Sequence, residues 1–168
     1  LGSLTLSSLN FNKQASVNSP QMIQDLARRM LERGIKPELE AFDLGMINYA
    51  RYLIQTGLLR PPYYFNLILG NIACAQADML HLGLMINELP EGAIWSVGAV
   101  GDSQLEMNSI SIATGGGVRV GLEDNIWYDS ERTRLATNRD LVERIVYIAR
   151  AMGREPLSPK EARGLLNL

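Results

Sequence analysis

The feature that most constrains the fold is a regular alternation between short apolar runs and longer segments of helical periodicity. The runs are rich in Leu, Val, Ile and aromatic residues and begin about 25–35 residues apart. Such alternation is typical of successive βα units. Because parallel strands of one sheet must be joined by crossover connections, the pattern predicts a parallel sheet with helices packed against it.

Five apolar runs qualify as strands. We interpret them as almost continuously apolar, which is typical of parallel strands that are buried on both faces. The predicted strands are Ser3–Leu9, Glu38–Phe42, Tyr63–Leu69, Ala93–Ala99 and Val118–Leu122.

The segments between the strands carry helix start and stop signals. Ser19 and Pro20 suit the cap and the first position of a helix, and Gly34 suits the position just beyond its last turn. The other predicted helices are Asp43–Thr56, Asp78–Glu88, Gln104–Thr114, and two that open with capping boxes at Thr137 and Ser158.

Five βα units fit either a doubly wound sheet or part of a (β/α)8 barrel. A nucleotide-binding doubly wound sheet would carry a Gly-rich phosphate turn after its first strand. The chain instead reads Asn10-Phe11-Asn12-Lys13 there, and its Gly115-Gly116-Gly117 run precedes a strand rather than opening a helix. We therefore predict a partial (β/α)8 TIM barrel of α/β class, in which this chain forms a single domain.

Composition and charge exclude several classes of partner. The 168 residues are 46% hydrophobic and 20% charged, which is typical of a globular domain. The formal charge is −2, and no Lys/Arg cluster interleaves with aromatic residues, so we expect no nucleic-acid partner. Cys74 is the only cysteine, so the chain cannot form an internal disulfide, and we expect a cytoplasmic protein.

The amino terminus carries no targeting signal. It lacks a basic region, and no apolar run approaches the roughly 18 residues that a membrane span needs, so we expect neither secretion nor membrane insertion. The chain also opens on an apolar stretch without a starting Met. We therefore expect it to be part of a longer protein whose first barrel strands are absent here.

Two adjacent carboxylates, Glu123 and Asp124, follow the last predicted strand. In a (β/α)8 barrel the active site lies at this end of the strands. Neighbouring residues of an extended chain point to opposite sides, so both can face the barrel axis only if the backbone turns. One carboxylate as a metal ligand and the other as a base would be consistent chemistry, because divalent cations prefer oxygen ligands. In the alternative interpretation, one of the two caps the next turn.

Two charged residues interrupt predicted buried strands. Arg119 precedes Glu123 by four residues within an apolar strand, and Glu40 lies in the second strand. An unpaired buried charge would cost on the order of several kcal/mol, so Arg119 requires a carboxylate or an anionic substrate as its partner. A purely structural Glu–Arg pair inside the barrel is the alternative.

The remaining polar candidates are weaker. Ser3 and Thr5 alternate with leucines in the first strand, where hydroxyls also occur simply as strand formers. His81 is the only histidine and lies in a predicted helix, so we interpret it as a surface residue, and Cys74 has no local partner. A zinc site needs three or four ligands, of which this chain offers Glu123.

These motifs resemble one enzyme family, the β-keto acid cleavage enzymes. The likeness includes Gly117-Val118-Arg119-Val120-Gly121-Leu122-Glu123-Asp124-Asn125 and runs along the whole chain. The other matching segments are residues 3–11, 17–20, 37–46, 69–70, 95–97, 136–138 and 153–163.

The resemblance implies a (β/α)8 barrel of which this chain is the carboxyl-terminal part, from the fourth strand to the eighth. It also implies a divalent metal, commonly zinc, bound by the Glu that matches Glu123 and by a His-x-His pair on a strand outside this chain. Family members are homo-oligomers, and the resemblance implies a tetramer.

The resemblance further implies the reaction and its residues. The Asp matching Asp124, assisted by the Arg matching Arg119, removes a proton from a β-keto acid. The enolate attacks acetyl-CoA, and the released thiolate cleaves the product to give acetoacetate and a new acyl-CoA. Ser3 matches a substrate-contacting hydroxyl position, Thr5 faces the same side two residues further on, and Glu40 matches a polar active-site Glu. We expect all three to bind the substrate.

Two segments depart from the family pattern. Residues 71–75 replace a Pro-Gly-Gly turn, and Asp102 replaces a basic or amide residue. Both segments follow strands at the catalytic end, so the identity of the substrate is not determined. Asp102 is expected to favour a cationic or neutral substrate tail over an anionic one.

Two other hypotheses about function remain: a non-catalytic partial barrel, and another divalent-metal barrel lyase or aldolase that does not use CoA.

Overall fold

The computed structural model describes residues 1–168. The strands are β1 (Gly2–Thr5), β2 (Leu9–Asn10), β3 (Ala15–Ser16), β4 (Pro37–Ala41), β5 (Tyr64–Leu69), β6 (Ile94–Ala99) and β7 (Gly117–Val118). The helices are α1 (Pro20–Glu32), α2 (Leu44–Gln55), α3 (Met79–Asn87), α4 (Gln104–Ala113), α5 (Asn138–Ala151) and α6 (Pro159–Leu166). A short 3-10 turn, Gly101–Ser103, precedes α4.

Five strands form one parallel sheet in the order β1-β4-β5-β6-β7. A helix connects each strand of this sheet to the next, so the prediction of successive βα units is confirmed. The arrangement is that of a partial (β/α)8 barrel. None of the six helices combines the length and the hydropathy that crossing a bilayer requires.

The two faces of the sheet differ in composition. The central strands β5 and β6 are buried on both faces, as predicted, whereas β1 and β4 are buried on one face only. One face carries Leu4, Leu39, Phe65, Leu67 and Val97, all of which are buried in the hydrophobic core. The opposite face, here called the polar face, carries the polar residues of the strands: Ser3, Thr5, Glu38, Glu40, Asn66, Ser96 and Arg119. In a barrel this is the face that surrounds the axis.

The strand register arranges the polar face in rows. Thr5, Glu40, Asn66, Ser96 and Gly117 are paired side by side across all five strands. Because paired residues of parallel strands point to the same side, these side chains form one layer, and the next layer towards the strand ends contains Arg119.

The helix caps lie where the sequence predicts them. The Ser19 hydroxyl accepts a hydrogen bond from the Met22 amide (3.2 Å), and Asp43 caps α2 in the same way. Both predicted capping boxes form, at Thr137 for α5 and at Ser158 for α6.

The first and last strands are shorter than predicted. Residues of the predicted strand Ser3–Leu9 beyond Thr5 leave the sheet, and β2 and β3 instead form an antiparallel hairpin. The predicted strand Val118–Leu122 gives way to a turn, in which the Asp124 and Asn125 amides both donate to the Gly121 carbonyl at 3.2 Å. This turn brings both carboxylates of the Glu123-Asp124 pair to the same side of the chain.

Candidate active site

Arg119 is the centre of a cluster of charges at the carboxyl end of the sheet. Its guanidinium donates through Nε to Asp124 Oδ2 at 2.8 Å and through one terminal nitrogen to Glu123 Oε2 at 2.9 Å. The other terminal nitrogen donates to Glu40 Oε1 at 3.5 Å. The structure therefore brings three of the predicted site residues together around a fourth, the Arg119 cation.

The position of Arg119 depends on a glycine in the neighbouring strand. A Cβ atom at Gly98 would lie 3.2 Å from Arg119 Cβ and Cδ. The arginine side chain therefore lies across the backbone of β6, and this is why it extends over the polar face towards β4.

The three carboxylates differ in their exposure. The side chain of Asp124 is 7% exposed and that of Glu40 is 15% exposed, whereas that of Glu123 is 82% exposed. Glu123 is therefore free to reorient towards solvent, while Asp124 and Glu40 are held in place by their partners.

The pKa of Arg119 is raised above its ordinary value. Burial of the guanidinium lowers its pKa, but the hydrogen bond and charge of Asp124, with the charges of Glu123 and Glu40, outweigh that effect. Arg119 therefore remains a cation at physiological pH, and its charge holds the three carboxylates together.

Thr5 belongs to the same cluster. Its hydroxyl donates to Glu40 Oε2 at 2.7 Å, so both oxygens of Glu40 have partners. Thr5 and Arg119 thus hold Glu40 from two sides, and the Glu–Arg pair lies at the carboxyl end of the sheet rather than only in the core.

Ser3 lies one layer lower and belongs to a second cluster. Its hydroxyl donates to Glu38 Oε2 at 3.4 Å, and Asn66 Nδ2 donates to Glu38 Oε1 at 2.7 Å. Nearby, Tyr64 and Ser96 share a hydrogen bond of 2.8 Å, and burial raises the pKa of Tyr64. The structure does not place Ser3 with Arg119.

Sequence reasoning missed this second cluster. The signal was the alternation of Pro37-Glu38-Leu39-Glu40, in which Glu38 is two residues from Glu40 and therefore lies on the same face of the strand.

Backbone contacts fix the turn that carries the carboxylates. The Gly101 amide donates to the Asp124 carbonyl at 2.8 Å, and the Leu122 amide donates to Asn138 Oδ1 at 3.0 Å. The turn is thus tied both to the end of β6 and to the start of α5.

Asp102 has a partner that the sequence did not reveal. Arg132, which adopts a left-handed backbone conformation (φ 57°), donates to both oxygens of Asp102, at 2.8 and 3.3 Å. Both residues border a pocket of about 230 Å³ that is also lined by Glu123 and Asp124. The pair offsets the charge of Asp102, which weakens the electrostatic reason for expecting a cationic or neutral tail over an anionic one, and that expectation stays a prediction.

His81 and Cys74 lie outside the cluster, as predicted. His81 Nδ1 is 2.7 Å from the carboxylate of Asp78 at the start of α3, away from the strand ends. Burial raises the pKa of the Cys74 thiol, with a further contribution from the charge of Asp43, so the thiol stays protonated and is a poor nucleophile.

The residues of this chain do not form a metal site on their own. A structural or catalytic metal needs three or more protein ligands, and no group of three His, Cys, Asp or Glu side chains is arranged to hold one. Glu123 is exposed enough to serve as a single ligand, but its partner here is Arg119.

Comparison with known proteins identifies relatives of the chain. The family model for the beta-keto acid cleavage enzyme matches residues 1–168. The 3-keto-5-aminohexanoate cleavage enzyme of Fusobacterium nucleatum is 41% identical over 152 residues, covering 90% of this chain and 55% of the relative. The 3-dehydrocarnitine:acetyl-CoA trimethylamine transferase of Rhizobium meliloti is 35% identical over 151 residues, covering 90% of this chain and 50% of the relative.

A solved structure shares the fold. The ternary complex of ObcA with C4-CoA adduct and oxalate matches with a TM-score of 0.74 at 19% sequence identity, covering 99% of this chain and 45% of that chain. The present chain thus spans about half the length of these relatives. The match of the family model over all 168 residues, together with 41% identity to a curated member, shows that the chain belongs to the β-keto acid cleavage enzyme family.

Proposed function

We propose that the complete protein transfers an acyl group between a β-keto acid and acetyl-CoA, giving acetoacetate and a new acyl-CoA. The observation that carries the proposal is the grouping of Glu40, Glu123 and Asp124 around Arg119 at the carboxyl ends of the strands. Membership of the family and the acetyl-CoA in the name of the Rhizobium relative support the same chemistry.

In this proposal Asp124 is the base. It removes a proton from the carbon between the keto and carboxylate groups of the substrate, which leaves an enolate. The enolate carbon forms a bond to the acetyl carbonyl carbon of acetyl-CoA, and the CoA thiolate leaves. The thiolate then attacks the original keto carbon, and the bond from that carbon to the central carbon breaks. Asp124 returns the proton to the central carbon, so acetoacetate and the new acyl-CoA account for all atoms.

Arg119 is the positioning residue for this base. Its Nε and one terminal nitrogen hold Asp124, whose side chain is buried, in a single orientation. A base held in this way attacks one defined proton, and fixing the geometry before the reaction is a large part of catalytic power.

Thr5 and Glu40 are proposed to contact the substrate from the neighbouring strands. Glu40 is hydrogen-bonded to Thr5 and Arg119, so a substrate group that binds Glu40 would also contact these two side chains. Ser3, one layer lower on β1, is proposed as a further contact in the complete barrel.

We further propose that Glu123 supplies one ligand of a divalent metal, zinc by resemblance, while the other ligands come from outside residues 1–168. The 82% exposure of its side chain supports this role. The metal would supply charge to stabilise an enolate. In the same proposal the complete protein is a cytoplasmic homo-oligomer with no nucleic-acid or membrane partner. The charge of −2 supports the lack of a nucleic-acid partner, the lone cysteine supports the cytoplasm, and the oligomeric state comes from the resemblance to the family.

The proposed function is tested on the complete, zinc-loaded protein with acetyl-CoA and a panel of β-keto acids. Acetoacetate should form with at least one of them. Asp124→Asn should abolish turnover without changing the zinc content, whereas Glu123→Gln should lower the zinc content as well. Asp25→Asn, which alters an exposed ion pair on α1, is the matched control and should behave as wild type.

Dependence on acetyl-CoA separates this proposal from another metal-dependent lyase or aldolase. Release of a small acid without acetyl-CoA would contradict it. Elemental analysis of the 168-residue chain by itself addresses the alternative of a non-catalytic partial barrel, because that chain should bind no metal and should self-associate through the open edges of β1 and β7.

A further inference from the structure

Helix α4 carries a row of polar side chains that are buried against the sheet. Gln104, Asn108 and Ser111 lie at helical spacing and therefore share one face of the helix. All three are fully buried, although a helix that packs on a sheet normally buries apolar side chains there. Burying polar groups costs free energy unless they are well hydrogen-bonded, so this row, here called the α4 polar stripe, needs a reason other than stability.

Two residues of the α4 polar stripe are hydrogen-bonded to the backbone segment that carries Arg119. Ser111 Oγ donates to the Gly117 carbonyl at 2.6 Å, and Gln104 Nε2 donates to the Gly121 carbonyl at 3.4 Å. Arg119 lies midway between these two carbonyls in the sequence. The α4 polar stripe therefore contacts both ends of the segment whose middle residue is the central cation of the candidate site.

Strand pairing supports this segment only at its start. β7 consists of two residues, Gly117 and Val118, so Gly121 lies beyond the paired strand. The start is confined further, because a Cβ atom at Gly116 would overlap the Trp95 ring and would lie 2.5 Å from Ser111 Oγ. The end of the segment thus depends on contacts from side chains.

The peptide group between Gly121 and Leu122 is hydrogen-bonded at both of its ends. Its carbonyl accepts from Gln104 on α4, and its amide donates to Asn138 Oδ1 at the start of α5 at 3.0 Å. Because a peptide group is planar, contacts at both ends fix its orientation. The Glu123-Asp124 pair follows directly, so the orientation of this peptide sets the direction in which the two carboxylates leave the chain.

We propose that Gln104 and Ser111 are positioning residues, which act on the reaction through Arg119 and Asp124. They hold the backbone on both sides of Arg119, so that its guanidinium meets the Asp124 carboxylate in the orientation observed. The proposal rests on the proposed function, because it assigns these two residues a role in that reaction. Asn108 lies between them on the α4 polar stripe, but neither polar atom of its side chain has a hydrogen-bond partner.

The first test is Gln104→Met in the complete, zinc-loaded protein, which removes the donor at nearly constant volume. Thermal stability should not fall, because the Gly121 carbonyl still accepts from the amides of Asp124 and Asn125, and the variant removes Gln104 Oε1, which is buried without a partner. In contrast, kcat should fall about tenfold, because the base is displaced from its geometry. KM for acetyl-CoA and for the β-keto acid should stay within about twofold of wild type.

The second test is Ser111→Ala, which removes the contact at the other end of the segment. Its kcat should also fall about tenfold with both KM values within about twofold of wild type. Asn108→Leu is the matched control, because Asn108 shares the helix face and the burial of the two residues but has no contact with the segment. This control should keep the kcat of wild type and should unfold at a higher temperature, since two buried polar atoms without partners are removed.

Hydrogen exchange supplies a measurement that needs no enzyme activity. Mass spectrometry of the complete protein reports how fast the backbone amides of residues 117–125 exchange with solvent. Exchange of this segment should be about fivefold faster in Gln104→Met and in Ser111→Ala, because the segment opens more often. It should stay at the wild-type rate in Asn108→Leu.

A wild-type kcat in both Gln104→Met and Ser111→Ala would overturn the proposal, whatever the exchange rates. An equal loss of kcat in Asn108→Leu would also overturn it, because the α4 polar stripe would then act only through packing. If wild type makes no acetoacetate but exchange of residues 117–125 rises only in the two variants, the support of the segment by α4 stands while the proposed reaction falls. An inactive wild type with unchanged exchange in both variants would overturn both.

Discussion

The two faces of the sheet differ in what they carry: one contributes to the hydrophobic core, and the other holds the residues proposed for the active site. The face against the helices buries Leu4, Leu39, Phe65 and their apolar neighbours in one core. The polar face carries charges that stay partly exposed and pair with one another around Arg119. Burying apolar surface stabilises the fold, whereas desolvating charges does not, so the charges of the polar face need a reason other than stability, and the proposed function supplies one.

The largest effect is expected from a cavity on the apolar face. Phe65 is fully buried, and Phe65→Ala should lower the free energy of unfolding by about 3–5 kcal/mol, because the loss of transfer free energy is added to the cost of the cavity. Urea unfolding of the protein measures the change. Phe65→Leu is the control and should lower the free energy of unfolding by less than half as much. Equal decreases in the two variants would mean that the packing around Phe65 is loose.

The next largest effect is expected from Arg119, and it should distinguish the polar face from the apolar face most clearly. Arg119→Lys keeps the charge but loses the planar fork that reaches three carboxylates, so kcat/KM of the complete protein should fall about 10²–10³-fold, roughly 3–4 kcal/mol of transition-state stabilisation. Steady-state kinetics and urea unfolding are compared on the same samples. If the free energy of unfolding of Arg119→Lys fell as much as its transition-state stabilisation, Arg119 would have a structural role. The two faces would then not differ in the way described here.

A smaller effect should come from Gly98. A methyl group there would press on the Arg119 side chain, because its carbon would lie 3.2 Å from two atoms of that side chain. Gly98→Ala should therefore reduce kcat/KM about tenfold through displacement of the arginine. Gly83→Ala on the exposed side of α3 has open space around it and should leave kcat/KM unchanged. A wild-type rate in Gly98→Ala would show that the arginine tolerates the shift.

The smallest effect concerns pH. Burial raises the pKa of Tyr64 above its ordinary value of 10.0, so the folded protein favours the neutral phenol. This contribution to stability is complete below pH 10.0 and is lost as the pH rises through the folded pKa of Tyr64. Above pH 10.0, the free energy of unfolding should therefore decline less steeply with pH in Tyr64→Phe than in wild type. Urea unfolding at a series of alkaline pH values measures this decline. Tyr147→Phe on the exposed side of α5 is the control and should leave the decline unchanged.

The sequence predicted the helix ends and the central strands well because their signals are local. Ser19, Asp43 and Thr137 cap their helices through contacts with residues three positions away. The predicted strands and β4, β5 and β6 agree to within a residue at each end.

The parts that were wrong or missed depend on distant partners. The hairpin of β2 and β3 interrupts an apolar run, and nothing in the run itself indicates where the sheet ends. The Asp102–Arg132 pair joins residues 30 positions apart, and the Arg119–Glu40 pair joins residues 79 positions apart. The grouping of the candidate site residues thus follows from the topology of the sheet, although the residue types were visible in the sequence.

The row of polar residues also has a consequence for how the chain reaches its fold. Side chains alternate between faces with a period of two, so a slip of β4 by one residue against its neighbours would turn Glu38 and Glu40 into the helix-packed core. The unpaired charges would make such a state far less stable than the native one. Glu38 and Glu40 thereby disfavour wrong strand alignments during folding, and a variant with apolar residues at both positions would be more prone to misfold.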